Sequence, residues 1–186
     1  MKNKHISHLS ILVLLAASTP LVLSQSATAE KPAAELKETV HTGSLTAMIA
    51  DSATFSTLTK ALKAAELDVT LGAKGEFTVF APTDEAFGKL PAKVLTKLLL
   101  PENKEKLRSL LLYHVVAGKM LAADLQNGDL KTMNGEKIKV DAGSGKTEID
   151  GAKVFNADVM ANNGVMHSLG QVLVPKSLDG FAGLKN

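Results

Sequence analysis

The segment that most constrains the fold is Phe77–Phe87, which reads Phe-Thr-Val-Phe-Ala-Pro-Thr-Asp-Glu-Ala-Phe. Side chains at every second position from Phe77 to Ala81 are apolar, which predicts a strand that is buried on at least one face. Pro82 has no N–H to donate to a neighbouring strand, so the strand ends there. Thr83 can cap a helix, because its side-chain oxygen can accept a hydrogen bond from the first turn. The segment therefore predicts a strand that leads directly into a capped helix.

The first turn of this predicted helix is acidic. Asp84 and Glu85 place negative charge near the positive end of the helix dipole, and Ala86 and Phe87 begin its apolar face. Two neighbouring carboxylates could instead act as an acid–base pair, but neighbouring side chains on a helix diverge. We therefore interpret Asp84 and Glu85 as supports of the helix.

Residues 1–29 have the pattern of a secretory signal peptide. Lys2 and Lys4 are followed by a mostly apolar segment, residues 11–23, and by an Ala-Thr-Ala triplet that ends at Ala29. The apolar segment is short for a membrane span, and the triplet is typical of a cleavage site. A retained anchor is the alternative, but we expect cleavage near Ala29 and a secreted or periplasmic chain without an integral membrane span.

Charge and cysteine content exclude several classes of protein. The chain carries 21 Lys and Arg against 19 Asp and Glu, and the two excess lysines lie in the predicted signal peptide. The mature chain would therefore have no net charge, and we expect no binding to nucleic acid. There is no cysteine, which excludes disulfides and a thiol nucleophile and leaves core packing to stabilise the fold.

The mature chain is predicted to form one domain, residues 43–178, between a polar linker, residues 30–42, and a short tail, residues 179–186. Its first part is rich in helices, whose apolar residues recur at helical spacing. Besides the helix at Thr83, helices are predicted to begin at Ser44, Thr54, Pro91 and Lys104.

After residue 114 the pattern changes to alternation and to turn dipeptides such as Asn134-Gly135, which favours a hairpin. Short strands are predicted at Leu130–Met133, Lys137–Val140, Thr147–Ile149, Lys153–Ala157, Val165–Ser168 and Val172–Val174. Strands that follow one another in this way form an antiparallel meander, and helices followed by a meander give an α+β fold.

Three parts of the sequence together resemble the signatures of fasciclin domains. They are Phe77–Phe87 for the first block, Leu112–Val116 for the Tyr-His motif, and Asn163–His167 with Val172–Pro175 for the second block. They stand in the family's order and spacing, and the resemblance runs from about Gly43 to Ser177. It implies a single fasciclin-like domain, a twisted antiparallel β-sandwich or wedge with helices packed along it.

The resemblance assigns structural roles to a set of motif residues, which are Phe80, Pro82, Thr83, Asp84, Phe87, Asn163, Gly164 and His167. The chain departs from the family pattern after His167, where Ser168-Leu169-Gly170 replaces β-branched residues and a polar one. Gly170 predicts a bulge or a bend at this point, and therefore a shorter strand.

The resemblance also implies candidate contact residues. In fasciclin domains of animal matrix proteins, a Tyr-His segment and an Asp-Ile pair are implicated in integrin-dependent adhesion. Tyr113 and His114 match the first, and Asp158 and Val159 stand at the place of the second, with Val for Ile. The alternative is structural: a tyrosine ring that packs in the core and an aspartate that ends a strand.

Two groups of residues could carry chemistry. His167 and Ser168 suggest a hydrolase, but neighbouring residues on a strand point to opposite faces, and no Gly-x-Ser-x-Gly segment is present. His41, His114 and His167 could contribute to a metal site. However, only Glu38 and His41 have a spacing typical of two metal ligands, and no second pair completes a site. We interpret His114 and His167 as buried, hydrogen-bonded supports, and we expect no enzyme activity, no metal and no cofactor.

The sequence therefore predicts an exported, non-enzymatic module that adheres to a cell-surface or matrix protein or to a polysaccharide, as in a biofilm. The alternative, implied by the resemblance, is a carrier of a small apolar ligand such as a carotenoid. Met160 and Met166 would suit an adaptable apolar surface, although core packing also accounts for them.

Overall fold

The computed structural model describes residues 43–73, 75–143, 145–181 and 184. All of them belong to one unit, Leu36–Asn186. The predicted signal peptide, the predicted linker, Glu38 and His41 lie outside the described residues.

The described part of the chain begins with helices, as predicted. The α-helices are α1 Leu45–Asp51, α2 Ser56–Ala64, α3 Asp68–Gly72, α4 Asp84–Gly88, α5 Ala92–Leu98 and α6 Lys104–Tyr113. Short 3₁₀ helices lie at Ala53–Phe55, Pro101–Asn103 and Lys176–Phe181. Two predicted caps are confirmed: Ser44 accepts a hydrogen bond from the Ala47 N–H of α1, and Thr83 accepts one from the Ala86 N–H of α4.

The predicted start of the second helix at Thr54 is wrong. The Thr54 N–H donates to the side chain of Ser52, which caps the 3₁₀ turn in front of α2. Because this turn uses the local cap, α2 begins at Ser56 with no side-chain cap from its N-cap residue Phe55. The cap of α2 comes instead from Asp84, which lies far away in the sequence.

The strands form a seven-stranded sheet in the order β2-β1-β7-β6-β5-β4-β3. They are β1 Phe77–Pro82, β2 Val115–Ala117, β3 Gly128–Lys131, β4 Lys137–Gly143, β5 Lys146–Ile149, β6 Ala152–Ala161 and β7 Gly164–Leu169. Neighbours are antiparallel except β1 and β7, which run parallel from Phe77 opposite Gly164 to Pro82 opposite Leu169. The predicted meander is therefore present from β3 to β7, and the first strand is inserted beside its last strand.

The long strand β6 divides this sheet into two parts. Its pairing with β7 shifts register between Val154 and Asn156 and again between Asn156 and Val159, and such irregularities bend a strand. Strands that are far apart in the sheet order therefore share one apolar cluster, in which Phe80 of β1 packs together with Ile138 of β4. This arrangement confirms the α+β fold, with a twisted sheet that closes on its own core.

The helices cover the other face of β1 and β7. Val79 and Ala81 of β1 and Met166 of β7 belong to the apolar cluster that α1, α2 and α6 complete. Phe80 points to the opposite side, into the cluster within the sheet. β1 is therefore buried on both faces, and it ends at Pro82 as predicted.

Two predictions about the end of the domain are wrong. A bend is present at Gly170 as predicted, but β7 spans six residues and reaches Leu169, so the strand is not shortened. Residues 172–174 are not a strand, because the Leu173 N–H donates to the side chain of His114 rather than to a neighbouring strand. Gly170 instead lies against Phe155: a Cβ at this position would meet the Phe155 ring, which would have to move.

Candidate functional site

The Tyr-His motif stands where α6 ends. Leu107, Leu110 and Leu111 bury one face of α6 in the helical core, as their helical spacing predicts. The last turn therefore ends against the sheet, and the chain enters β2 one residue later. Packing of the apolar face of α6 thus determines where Tyr113 and His114 lie.

His114 connects α6 to the segment after β7. Its ring is 2% exposed; Nδ1 lies 2.8 Å from the Leu110 carbonyl oxygen, and Nε2 lies 2.9 Å from the Leu173 nitrogen. A backbone N–H can only donate, so Nε2 accepts from Leu173 and Nδ1–H donates to Leu110. Burial lowers the pKa of His114 to about 4, so the ring is neutral at pH 7 and its tautomer is fixed.

Tyr113 fixes the turn between β5 and β6. Its hydroxyl donates to Asp150 Oδ2 at 2.7 Å and lies 3.2 Å from the Lys137 carbonyl oxygen. The other carboxylate oxygen of Asp150 accepts from the Lys139 N–H at 2.7 Å. Burial, followed by the hydrogen bond to Asp150, raises the pKa of Tyr113. The phenol therefore stays protonated and acts as a donor between β4 and the turn.

A cleft of about 830 Å³ opens above Tyr113. Charged residues of both signs line it, namely Asp129, Glu136, Lys137, Lys139, Asp150 and Lys176. Glu136 is already bonded, because it accepts from the N–H groups of Lys176 and Ser177, and the hydrogen bonds led by that of Ser177 lower its pKa. Lys139 and Lys176 remain exposed at the rim. The cleft is therefore suited to a polar partner.

Asp158 and His167 together hold the β2–β3 connection, residues 118–127. His167 is fully buried; its Nδ1 accepts from the Asp158 N–H at 3.3 Å, and its Nε2 donates to the Met120 carbonyl at 2.9 Å. Asp158 Oδ1 accepts from the Ala122 N–H at 2.7 Å. Burial lowers the pKa of His167, and its ring stacks on Phe80 with centroids 5.5 Å apart. Both residues therefore act as structural connectors.

Val159 points away from Asp158 and into the helical core, where it is 6% exposed. It lines a groove of about 320 Å³ with Met48, Phe55 and Met166. Tyr113, His114, Asp158 and Val159 thus lie at four different places, three of them buried. The fold does not bring these side chains together into one contact surface.

Asn163 and Gly164 attach the helices to the sheet. Asn163 Oδ1 accepts from the Leu45 N–H at 2.8 Å, and its amide nitrogen donates to the carbonyls of Leu71 and Ala73. Gly164 has a φ of 153°, and a Cβ there would collide with the Phe77 carbonyl oxygen. The motif therefore permits the close approach of β7 to β1.

The sequence analysis did not predict that Asp84 caps α2. Its carboxylate accepts from the Thr57 N–H at 2.7 Å and from the N–H and hydroxyl of Ser56 at 3.2 and 2.8 Å. Burial opposes ionisation, but these hydrogen bonds outweigh it and lower the pKa of Asp84. Asp84 thus caps α2 while it stands in the first turn of α4. Nothing in the sequence signals this cap, because Ser52, Thr54 and Ser56 all offer a local capping side chain.

His167 and Ser168 do point to opposite sides of β7. His167 faces Phe80 and the β2–β3 connection, whereas Ser168 lines the groove beside Met48 and Phe55. Within the described ranges, no three His, Asp or Glu side chains lie close enough together to hold a metal ion. No helix in that part of the chain is long and apolar enough to cross a membrane.

Comparison with known proteins agrees with this architecture. The family model of the fasciclin domain matches residues 53–175. Protein sll1483 of Synechocystis sp. is 50% identical over 126 residues, which are 68% of this chain and 70% of that protein. The transforming growth factor-beta-induced protein ig-h3 of Sus scrofa is 36% identical over 126 residues, 67% of this chain and 18% of that protein.

A solved structure has the same fold. It is a FAS1 domain pair from the insect cell adhesion molecule Fasciclin I, with a TM-score of 0.65 and 20% sequence identity. The similarity covers 73% of this chain and 52% of the domain pair. This chain therefore spans about half the length of that structure.

Proposed function

This chain belongs to the fasciclin domain family, and on that premise we propose that it is an exported, non-enzymatic module that mediates adhesion to a cell surface, a matrix or a surface polymer. The same fold occurs in a domain pair of an insect cell adhesion molecule. We propose further that the mature chain consists of the domain, residues 43–178, with a linker before it and a tail after it.

One observation about the motifs carries the proposal. Their polar side chains are occupied by hydrogen bonds that hold the fold: His114 and His167 each bond two backbone groups, and Asn163 bonds three. The Tyr113 hydroxyl is engaged by Asp150. Groups engaged in this way do not form a nucleophile with its base, whereas the surface around them can bind a partner.

The contact surface that we propose is the rim of the cleft above Tyr113. Tyr113 and His114 are buried and therefore position β4 and the segment after β7, rather than touch a partner directly. Lys139 and Lys176 are exposed, and both line the cleft. Charged rim residues of this kind steer a partner and set the rate of association.

Attachment of protein-coated beads to the producing cells tests this proposal. We expect the double variant Lys139→Glu, Lys176→Glu to retain the fold and to lower bead attachment by about tenfold, since each change reverses a charge at the rim. The matched control is Lys60→Glu, Lys63→Glu, which reverses two exposed charges on α2. Deletion of the gene should also lower attachment and biofilm mass; unchanged attachment and biofilm mass would reject the adhesive function.

Export is tested on protein recovered from the producing cells. Cleavage near Ala29 predicts a mature chain that starts near Glu30 and occurs in the periplasm or the medium. Intact mass and N-terminal sequencing measure this directly. A full-length chain in the membrane fraction would contradict it.

A second candidate function is the carriage of a small apolar molecule, such as a carotenoid. It is favoured by the apolar part of a groove of about 320 Å³, which Met48, Phe55, Val159 and Met166 line, because methionine side chains adapt to apolar ligands. The rest of the lining is polar, namely Asp51, Ser52, Asn156 and Ser168. Native mass spectrometry with an absorption spectrum, on protein purified from its own host, tests it. A stoichiometric extra mass supports carriage, and a bare mass without visible absorption rejects it.

A further inference from the structure

β5 and β6 separate soon after the turn that joins them. Their ladder has two residue pairs, Glu148 with Lys153 and Ile149 with Ala152. Further along, β6 pairs only on its other side, with β7. The fork between the two strands opens into a cavity of about 350 Å³. Its lining includes Ala122, Lys146, Thr147, Lys153, Phe155 and Ala157.

An exposed aromatic ring stands at this fork. Phe155 is 70% exposed, and its ring packs on the backbone of Gly170, where there is no room for a Cβ. Gly170 is fixed in turn, because its N–H donates to the Lys153 carbonyl at 3.1 Å and its carbonyl accepts from Lys89 Nζ at 2.6 Å. The ring contacts Gly170 on one side and is otherwise exposed, so Phe155 offers a flat apolar platform to a partner.

Positive charge surrounds this platform. Lys146 and Lys153 line the cavity, and Lys89 reaches Gly170 beside it. None of these three lysines forms an ion pair with an acidic side chain of the described residues. Two acids stand nearby: Glu148 lies opposite Lys153 in the ladder, and the Asp158 carboxylate accepts from the Ala122 N–H of the cavity lining. Three lysines thus face two acids, and the local excess of charge is positive.

We propose that this fork binds an acidic polysaccharide, with one sugar ring stacked on Phe155 and its carboxylate between Lys146 and Lys153. The C–H face of a pyranose is apolar and flat, while its carboxylate lies at the ring edge, so one uronate unit can contact the platform and the lysines together. A volume of about 350 Å³ equals that of roughly a dozen water molecules at about 30 Å³ each, which leaves room for one such unit. The proposal rests on the proposed function, because it names the surface polymer among the partners given there.

Other occupants match these features less well. A nucleic acid would need a continuous basic surface, whereas the mature chain carries equal numbers of acidic and basic residues. A purely apolar ligand would fill the cavity but would gain nothing from the exposed ammonium groups of Lys146 and Lys153. A uronate can stack its sugar ring on Phe155 and place its carboxylate near the two lysines.

The test is binding of polygalacturonate to the purified full chain by calorimetry, with neutral dextran of similar length as the control polymer. We expect Phe155→Ala to weaken binding by about tenfold, which is the order of effect found when an aromatic side chain that stacks on a nucleic-acid base is removed. Lys153→Gln should weaken it by about threefold, and added salt should weaken it further because the contact is ionic. The matched controls are Val69→Ala, which truncates a side chain that is 77% exposed, and Lys60→Gln on α2.

A second pair of variants keeps the proposal falsifiable if a single change disturbs folding. Gly170→Ala should displace the Phe155 ring and weaken binding although the ring is still present. Gly170→Ala combined with Phe155→Ala should recover thermal stability, since the collision is gone, without recovering binding. Retained binding in Gly170→Ala would overturn the role of the platform.

The outcomes separate this proposal from the proposed function. Equal binding of polygalacturonate and dextran, unchanged binding by Phe155→Ala, or equally tight binding of single-stranded DNA would overturn it. If beads coated with the wild-type protein still attach to cells in that case, adhesion stands and the polysaccharide does not. If the polysaccharide binds as expected but attachment fails, the site stands and the adhesive function does not.

Discussion

Tyr113 is the single tyrosine of a chain without tryptophan, so the near-ultraviolet absorbance of tyrosinate reports this residue alone. Burial and the hydrogen bond to Asp150 raise the pKa of Tyr113 above its ordinary value of 10.0. We expect the folded protein to show almost no tyrosinate at a pH of about 10.5, where an unfolded tyrosine is mostly ionised. The measurement is an alkaline absorbance titration with and without urea.

The control for this titration is Asp150→Asn, which removes the charge but keeps a side-chain oxygen that can accept the phenol proton. Its tyrosine should ionise at a lower pH than that of the wild type. Identical titration curves in the folded and the urea-unfolded protein would contradict the buried hydrogen bond. The Tyr-His motif is visible in the sequence, but the partner Asp150 is not, because it is brought to Tyr113 by a turn 37 residues away.

At the scale of elements, α2 depends on a cap that α4 supplies. Asp84 binds the N–H groups of Ser56 and Thr57, which have no partner one turn earlier in their own helix. We expect Asp84→Ala to lower the free energy of unfolding by about 1–2 kcal/mol, the usual cost of a lost cap. Glu85→Ala is the matched control: it removes a neighbouring exposed acid and should cost about 0.5 kcal/mol or less. Urea unfolding of both variants measures the difference.

Equal losses of stability in the two variants would contradict the capping role of Asp84 and leave only an effect of charge near the helix terminus.

The helix caps also show what the sequence could predict and what it could not. The caps Ser44 and Thr83 were predictable because each bonds an N–H three residues away. The cap of α2 was not, because Asp84 lies 27 residues from Thr57. The prediction of a strand at residues 172–174 failed for a similar reason. The apolar pattern of this segment is typical of a strand, but the Leu173 N–H donates to His114, which is distant in the sequence.

On the scale of the whole molecule, the parallel pair β1–β7 joins the first described strand to the last. Hairpin turns and alternation predict pairs between consecutive strands, and they predicted most of β3 to β7. They carry no information about a pairing that spans the intervening chain. The fold uses Asn163 and His167 for this closure, because both connect the sheet to distant backbone. The exposed lysines and Phe155 of the adhesive surfaces proposed above stand outside this framework, so substitutions of these side chains should leave global stability intact.

Global stability should instead depend on pH through the buried histidines. Burial holds the pKa of His114 at about 4, below its ordinary value of 6.5, and burial also lowers the pKa of His167. As the pH falls below about 6.5, the unfolded chain binds protons that the folded chain refuses until about pH 4, so stability decreases through this window. At about 1.4 kcal/mol per pH unit, His114 alone accounts for a loss of roughly 3 kcal/mol.

Urea unfolding at several pH values between 7 and 4 measures this loss, and histidine NMR titration of the folded protein measures the pKa directly. His114→Gln is the informative variant, because an amide can still donate to Leu110 and accept from Leu173 but does not titrate. It should be less stable at pH 7, yet lose less stability on acidification, with the remaining slope due to His167. The low pKa of Asp84 acts in a separate window, since the stability that it contributes is lost only as the pH falls below the ordinary range of a carboxylate. Two outcomes would contradict the assignment of His114 as the neutral connector between α6 and the end of the domain. One is a free energy of unfolding that depends on pH as steeply in His114→Gln as in the wild type. The other is a His114 resonance that titrates near pH 6.5 in the folded protein.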